Sequence, residues 1–381
     1  MKRTLMILAS GLALWHAAAA PVVSQVTVRQ RWPWSRLVDI DYVLDGVDGG
    51  TWDIDVKAFD GTTPLVLPFA SLSGDRVSVS NGAGRIVWDP TVTAYTNEQV
   101  LTQFSVELTP VQAPLYLIVD LTNAAGTPPA VQYVYEEEFA GGAYGTVETN
   151  PVVGITSLAW SGLTNDVAYK TDRLVLRRVR DFYIGVFEWT QGQRKSVSGA
   201  YYSGSHYTNE VDRAVHPDER LAYTTIRGGP DDDPAIDWPA TGRAVKPSSL
   251  LGRLRTKSGL PFDLPTDEQW EFACRAGTAT RFNNGSDDLS AMEELGWYKS
   301  NANDHTREAG LKRPNAWGLY DMHGNVEEWC LEWFDAERTL RVRRNGSWLR
   351  EASYSASSYS TGYAPNGSGG TLGYRVVLNM R

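Results

Sequence analysis

The sequence predicts a mixed chain in two parts: an all-β sandwich of immunoglobulin-like type over residues 21–112, then a longer part of strands, two short helices and aromatic-rich loops. Three observations carry this. Apolar residues recur at every second position from Val38 to Leu44 and from Trp52 to Ala58, the period of a half-buried antiparallel strand. Thr266 followed by Gln269 is a helix-opening signature late in the chain. The stretches after it are rich in tryptophan and poor in periodicity, so hydrogen bonds or ions must hold them.

The chain begins like an exported protein. Met1-Lys2-Arg3 is basic, Thr4 to Trp15 is apolar but too short to span a bilayer, and His16 to Ala20 ends in small residues. That is the layout of a cleaved leader, here residues 1–20. About 360 residues then remain, which suggests two domains. No later apolar run is long enough to cross a membrane, so no transmembrane segment is expected in the mature chain. Its expected location is periplasmic, cell-surface or secreted. The formal charge of −9 and the lack of a basic run exclude a nucleic-acid footprint.

Within the first part, Val38, Ile40, Tyr42 and Leu44 face one way and Trp52, Ile54, Val56 and Ala58 form a second alternating run. Further strands are expected at Val77–Val79, Ile86–Trp88 and Phe104–Leu108, separated by the turns Asp48-Gly49-Gly50, Asn81-Gly82 and Asp89-Pro90. No titratable cluster stands out there, so a spacer or adhesion module is the expectation.

Residues 113–169 read as a linker and the start of the second domain, which then runs over 170–381. Leu115 to Leu121 is apolar, Ala124 to Pro129 punctuates the chain, and Glu136-Glu137-Glu138 reads as a solvated loop. Phe182 to Thr190 has strand composition and leads into a polar stretch. Asp231-Asp232-Asp233 lacks the oxygen-ligand spacing of a cation loop and reads as flexible acidic loop.

The first helix is capped by Ser248 or Ser249, presents Leu250, Leu251 and Leu254 on one face, and ends at Gly259. In the second, Thr266 and Gln269 form a capping box, Asp267 and Glu268 suit the helix dipole, Trp270, Ala273 and Cys274 share a face, and Gly277 is the expected stop. The two cysteines, Cys274 and Cys330, read either as buried free thiols or as a bridge that export would permit.

The order of motifs in the second part resembles the formylglycine-generating enzyme (sulfatase-modifying factor) family over residues 170–381. The strand Phe182–Thr190, the capped helix after Leu264-Pro265-Thr266, the run Gly318-Leu319-Tyr320-Asp321 to Glu328-Trp329, then Gly346-Ser347-Trp348 and Gly373-Tyr374-Arg375 carry it. The resemblance implies an α+β fold related to C-type lectins, and the N-terminal sandwich is similar to modules that precede such domains in exported bacterial proteins. It also implies a calcium ion, structural in role, held by Asp321, the Gly324 and Val326 carbonyls and Glu328. Two carboxylates and two carbonyls in one loop suit a hard cation. The family's second calcium site maps poorly, with Asn301 as a remnant.

The family's oxidases place two cysteines after the Gly-Ser-aromatic motif to bind copper(I). Here those positions are Arg350 and Ser355. Neither is a soft donor, so copper is not expected and no catalytic residue is assigned. The histidines His16, His206, His216, His305 and His323 lack the spacing of the family's iron-dependent branch; His323 reads as a solvent-facing loop residue. No Walker sequence, dinucleotide fingerprint or nucleophile elbow appears, and the pairs Glu327-Glu328 and Asp287-Asp288 read as surface charge.

Trp348, Tyr354, Tyr359 and Tyr363 alternate with small hydrogen-bonding residues, a composition suited to adaptable binding. The resemblance places this stretch along the substrate groove, so Trp348, Arg350, Tyr354, Ser355 and Tyr359 are the expected ligand face, for a peptide or a glycan; packing of buried aromatics is the competing account. The expected function is an exported, calcium-stabilised ligand-binding protein, a pseudoenzyme of its family. The alternatives are an active sulfatase-modifying factor or diverged metal-dependent oxidoreductase, and a structural envelope component.

Overall fold

A computed structural model describes residues 20–31, 35–47, 52–65, 67, 71–92, 103–123, 131–135, 147–149, 156–158 and 163–380. The leader, the Asp48-Gly49-Gly50 turn, the Ala124–Pro129 punctuation and Glu136-Glu137-Glu138 lie essentially outside these residues. The chain divides into two compact units, one ending at Gln112 and the other starting at Ala113.

The first unit is all β. Strands β1 (Val22–Gln30), β2 (Val38–Asp45), β3 (Trp52–Asp60), β4 (Thr63–Leu65), β5 (Leu72–Gly74), β6 (Gly82–Trp88) and β7 (Phe104–Gln112) form two antiparallel sheets, ordered β1-β2-β6-β5 and β4-β3-β7. Val38, Ile40, Tyr42 and Leu44 of one sheet and Ile54 of the other close on a shared core with Ile86 and Trp88. Asp39 is 1% exposed despite its polar-face parity, because Arg29 and Arg31 reach over it at 3.1 and 2.6 Å. The strand expected at Val77–Val79 is reduced to one bridge, Trp52 to Val79, and the pairing runs through β5 instead.

In the second unit, β8 (Tyr116–Asp120), β9 (Val131–Val134), β12 (Arg173–Val179), β13 (Phe182–Gly185), β14 (Phe262–Asp263) and β19 (Val377–Asn379) build a six-stranded sheet ordered β14-β19-β13-β12-β8-β9. Between β9 and β12, β10 (Val147–Thr149) and β11 (Thr156–Leu158) form a separate hairpin. Both faces of the large sheet are covered. Tyr116, Ile118, Val175 and Ile184 enter one core, while Leu117, Val119, Leu174, Leu176 and Tyr183 enter the other. This explains why Leu115–Val119 is continuously apolar rather than alternating.

Among the described residues, three helices of this unit run to eight or nine residues. Helix α1 (Gln191–Ser198) was not expected: Phe182–Thr190 is strand only to Gly185, and Thr190 caps a helix through its own box with Gln193. The signal, Thr190 three residues before Gln193, lay in the sequence beneath a strand-like aromatic run. Helix α2 (Leu250–Ser258) is capped by Ser249 and ends at Gly259, with Leu250, Leu251 and Leu254 buried. Helix α3 (Asp267–Arg275) has the expected box, Thr266 Oγ1 accepting from Gln269 N at 3.0 Å and Gln269 Oε1 from Thr266 N at 3.0 Å. It stops one residue before the expected Gly277, on Ala276 at φ +44°. Trp270, Ala273 and Cys274 face the core.

A four-stranded sheet, β17-β16-β15-β18, joins β15 (Glu327–Trp333), β16 (Arg341–Arg344), β17 (Ser360–Tyr363) and β18 (Leu372–Gly373). It sets Glu328 opposite Arg344 on one side and Gly373 on the other. Among the described residues no helix is long and apolar enough to cross a membrane.

Candidate functional site

The loop from Gly318 to Val326 turns back on itself through left-handed residues. Asp321, Gly324 and Asn325 have φ of +55°, +97° and +63°, and Asn345 beside them has +69°. Asp and Asn tolerate this region better than other non-glycine residues because their side chains bond locally. Gly324 is obligatory on a second ground: a Cβ there would strike the Trp297 carbonyl.

Asn345 organises the loop. Its Oδ1 accepts from Gly324 N and from Gly346 N at 2.8 Å. Its Nδ2 donates to the carbonyls of Asp321, Gly324 and Val326 at 3.0, 2.7 and 3.1 Å. Two N–H donors on one side and three carbonyls on the other set the amide's orientation without ambiguity. Glu188 anchors the far side, accepting from Val326 N at 3.0 Å and Asn325 Nδ2 at 2.7 Å.

Glu328 is equally committed. Its carboxylate takes Trp270 Nε1 at 2.7 Å and Arg375 Nη2 at 3.0 Å. Arg375 spends its remaining donors on Gly185 O, Val186 O and Tyr320 O at 2.7, 2.9 and 2.8 Å. Asp321 accepts from Gly310 N at 2.6 Å through one oxygen, while its other oxygen is buried without a hydrogen bond. Burial raises Asp321 to about 6 and pushes Glu188 well above the carboxylate range, with the nearby Asp321 and Glu328 charges adding to the latter. The four groups expected to hold calcium are therefore brought together, but the Gly324 and Val326 carbonyls and the Glu328 carboxylate already accept protein donors, and only Asp321 keeps an unbonded oxygen. At the second expected site, Asn301 bonds Tyr298 N at 2.9 Å and Gly296 O at 3.2 Å, and Arg307 Nε donates to Ala302 O at 3.0 Å. Among the described residues no group of three or more His, Cys, Asp or Glu side chains could hold a metal.

The expected ligand face divides. Arg350 and Tyr354 are open, at 39% and 38% exposure, and Tyr359 lies edge-on to Tyr354 at 5.4 Å. The Arg350 guanidinium lies 5.6 Å from the Tyr354 ring and 3.5 Å from Glu327. Trp348 is only 6% exposed and stacks on His206 at 5.3 Å. Ser355 is fully buried, so it backs the face rather than lining it. Glu327 is no surface charge either: it is buried against Arg343 at 2.6 Å and Thr371 at 2.7 Å.

His323 corrects a second expectation. It is fully buried, not solvent-facing. Its Nε2 accepts from Asn283 N at 3.2 Å, so Nδ1 carries the proton and donates to Ser355 O at 2.7 Å. Burial drops its pKa to about 4. Both cysteines are free and buried. Cys274 Sγ lies 3.4 Å from Met322 O and 3.9 Å from His323 Nε2, and burial raises its thiol to about 12. Cys330 is raised well above the thiol range by the same cause. Asp232 is held by Gly229 N at 2.8 Å and paired with Lys246, which accounts for that acidic loop without a cation.

Sequence reasoning gave Glu188, Asn345 and Arg375 no part in the loop and placed Trp270 only on a buried helix face. Glu188 and Arg375 stood inside the motifs that carry the resemblance and Asn345 directly before one, which was the available signal; nothing local told that Glu188 meets partners more than 130 residues away.

Comparison with known proteins matches residues 173–380 to the model of the sulfatase-modifying factor enzyme 1-like domain. The chain is 27% identical to chaperone protein LppX of Paenibacillus barcinonensis over 239 residues, 52% of this chain and 80% of that one. It is 35% identical to the formylglycine-generating enzyme of Streptomyces coelicolor over 146 residues, 30% of this chain and 46% of that one. It is 32% identical over 129 residues to inactive C-alpha-formylglycine-generating enzyme 2 of Mus musculus, 30% of this chain and 42% of that one. The chain thus spans less than half the length of these two formylglycine-generating enzyme relatives.

Proposed function

Because the chain belongs to the sulfatase-modifying factor enzyme 1-like family through residues 173–380, we propose that it is a polypeptide-binding member that does not oxidise cysteine. One observation carries this reading. Where the resemblance would set a copper-binding thiol pair stand Arg350, whose guanidinium faces Glu327 at 3.5 Å, and Ser355, which is buried. Guanidinium and hydroxyl are poor partners for a soft metal, and the two thiols the chain does have are buried and protonated.

Arg350, Tyr354 and Tyr359 offer a cationic fork beside an edge-to-face aromatic pair, suited to a carboxylate or backbone carbonyl flanked by apolar side chains. The likeness to LppX, a chaperone protein, favours a polypeptide over a glycan as the guest. The basic start and small-residue end of residues 1–20 support export. Two antiparallel sheets on one core support an immunoglobulin-like first unit, and the loop-rich second unit supports a C-type-lectin-like fold.

The test is direct. Purified protein with copper(I) is incubated with a Cys-x-Pro-x-Arg peptide and, separately, probed on an array of unfolded peptide segments. The expected result is peptide binding and an unaltered cysteine. Copper-dependent conversion of the cysteine to an aldehyde would overturn the reading.

A further inference from the structure

We propose that the Asn345 side-chain amide takes the place of the calcium ion in the Asp321–Glu328 loop, so that this loop holds its shape without a metal. The Nδ2 atom sits within 3.1 Å of three carbonyl oxygens, those of Asp321, Gly324 and Val326. Two of these carbonyls, with the Asp321 and Glu328 side chains, are the oxygens a cation there would need. A calcium ion requires roughly six to eight oxygens at about 2.3–2.6 Å. It cannot share the cup with an amide nitrogen that already points into it.

The substitution has two halves. The amide supplies hydrogen-bond donors to the carbonyls but no charge. Charge comes from Arg375, whose guanidinium is fully buried against Glu328 at 3.0 Å and reaches Tyr320 O, next to Asp321. An organic cation and a neutral amide thus divide the work of one divalent ion. Asn345 is suited to the post because it lies at φ +69°, tolerated by asparagine and easy for glycine.

That backbone geometry makes the test clean. Asn345→Gly fits the left-handed backbone and deletes only the amide. Asn345→Asp keeps the shape but turns a donor toward the three carbonyls into a repelling acceptor. Full-length protein is stripped with chelator and melted with and without about 1 mM CaCl2, alongside calorimetric calcium titration. For the unaltered protein the melting temperature should change by less than about 1 °C. Both variants should melt lower in chelator, and calcium should restore at least about 2 °C, with a larger recovery for Asn345→Asp. One-to-one calcium binding by the unaltered protein that Asp321→Asn abolishes would overturn the proposal. So would variants that fold yet ignore calcium, or that fail to fold even when calcium is present.

Discussion

Glu328 and Arg375 form an ion pair at 3.0 Å in which neither side chain reaches solvent. Every N–H of the guanidinium is used, and the donors left over from Glu328 tie Gly185, Val186 and Tyr320 into one unit. Removing one partner of a buried pair strands the other, at about 3–5 kcal/mol. Arg375→Met should therefore lower unfolding free energy by about that much in urea titration. Adding Glu328→Gln should recover part of the loss. A single-variant cost below about 1 kcal/mol would contradict the assigned role.

Buried acids give stability an alkaline weakness. Asp218 and Glu219 are raised to about 7 and Asp321 to about 6, each chiefly by burial, and for Asp218 this prevails although Arg194 lies 3.1 Å away. Their folded values exceed the unfolded ones near 4. The stability they contribute is complete below the unfolded values and disappears as pH climbs through 6 and 7. His216 and His323, lowered to about 4 by burial, act in the other direction, losing their contribution as pH falls below about 6.5. The acids outnumber them, so the melting temperature should be higher near pH 5.5 than near pH 8, roughly. Glu219→Gln should flatten the alkaline limb in a pH series of melts; a steeper limb would count against it.

The thiols should be silent in the folded protein. Cys274 and Cys330 are free, buried and raised by burial, and only thiolate reacts. A disulfide-exchange reagent should label neither thiol under native conditions and both in guanidinium chloride. Fast native labelling of either would show an open thiol.

Thr266 caps α3 through Gln269 N at 3.0 Å, and the returning Gln269 side chain completes the box. Thr266→Ala should cost about 1 kcal/mol by denaturant melt, within a span of about 0.5–2. A change near zero would mean that the helix is held wholly by Trp270, Ala273 and Cys274 in the core.

Arg350 should matter for binding and not for folding. Its side chain is 39% exposed and lies 3.5 Å from Glu327 Oε1 without a hydrogen bond, while Arg343 and Thr371 hold Glu327 through Oε2. Arg350→Ala should weaken peptide binding about tenfold, read by fluorescence anisotropy, with an unchanged melting temperature. Unchanged affinity would remove Arg350 from the face.

The alternating strands, the two capped helices and the family were legible because each rests on local chemistry. Period two in Val38–Leu44, the Thr266–Gln269 box and the contiguous Gly318–Trp329 run are each complete within a dozen residues. Helix α1 was obscured because its cap, Thr190, ends a run with strand composition. His323 and Ser355 looked like surface residues because a polar side chain in a loop gives no local hint that another segment will cover it.

The sequence by itself determined the alternating strands Val38–Leu44 and Trp52–Ala58, the helices Leu250–Ser258 and Asp267–Arg275, and the crowding of aromatic and hydroxyl side chains into the stretch that holds Arg350 and Ser355. Tertiary structure alone decided which of them face out. It also decided that Glu188 meets Asn325 across the fold and that Asn345 closes on the carbonyls of the Asp321–Val326 turn. The reason is physical: a backbone carbonyl carries no residue identity, so nothing local in the sequence says which side chain will supply its donor until the chain has folded.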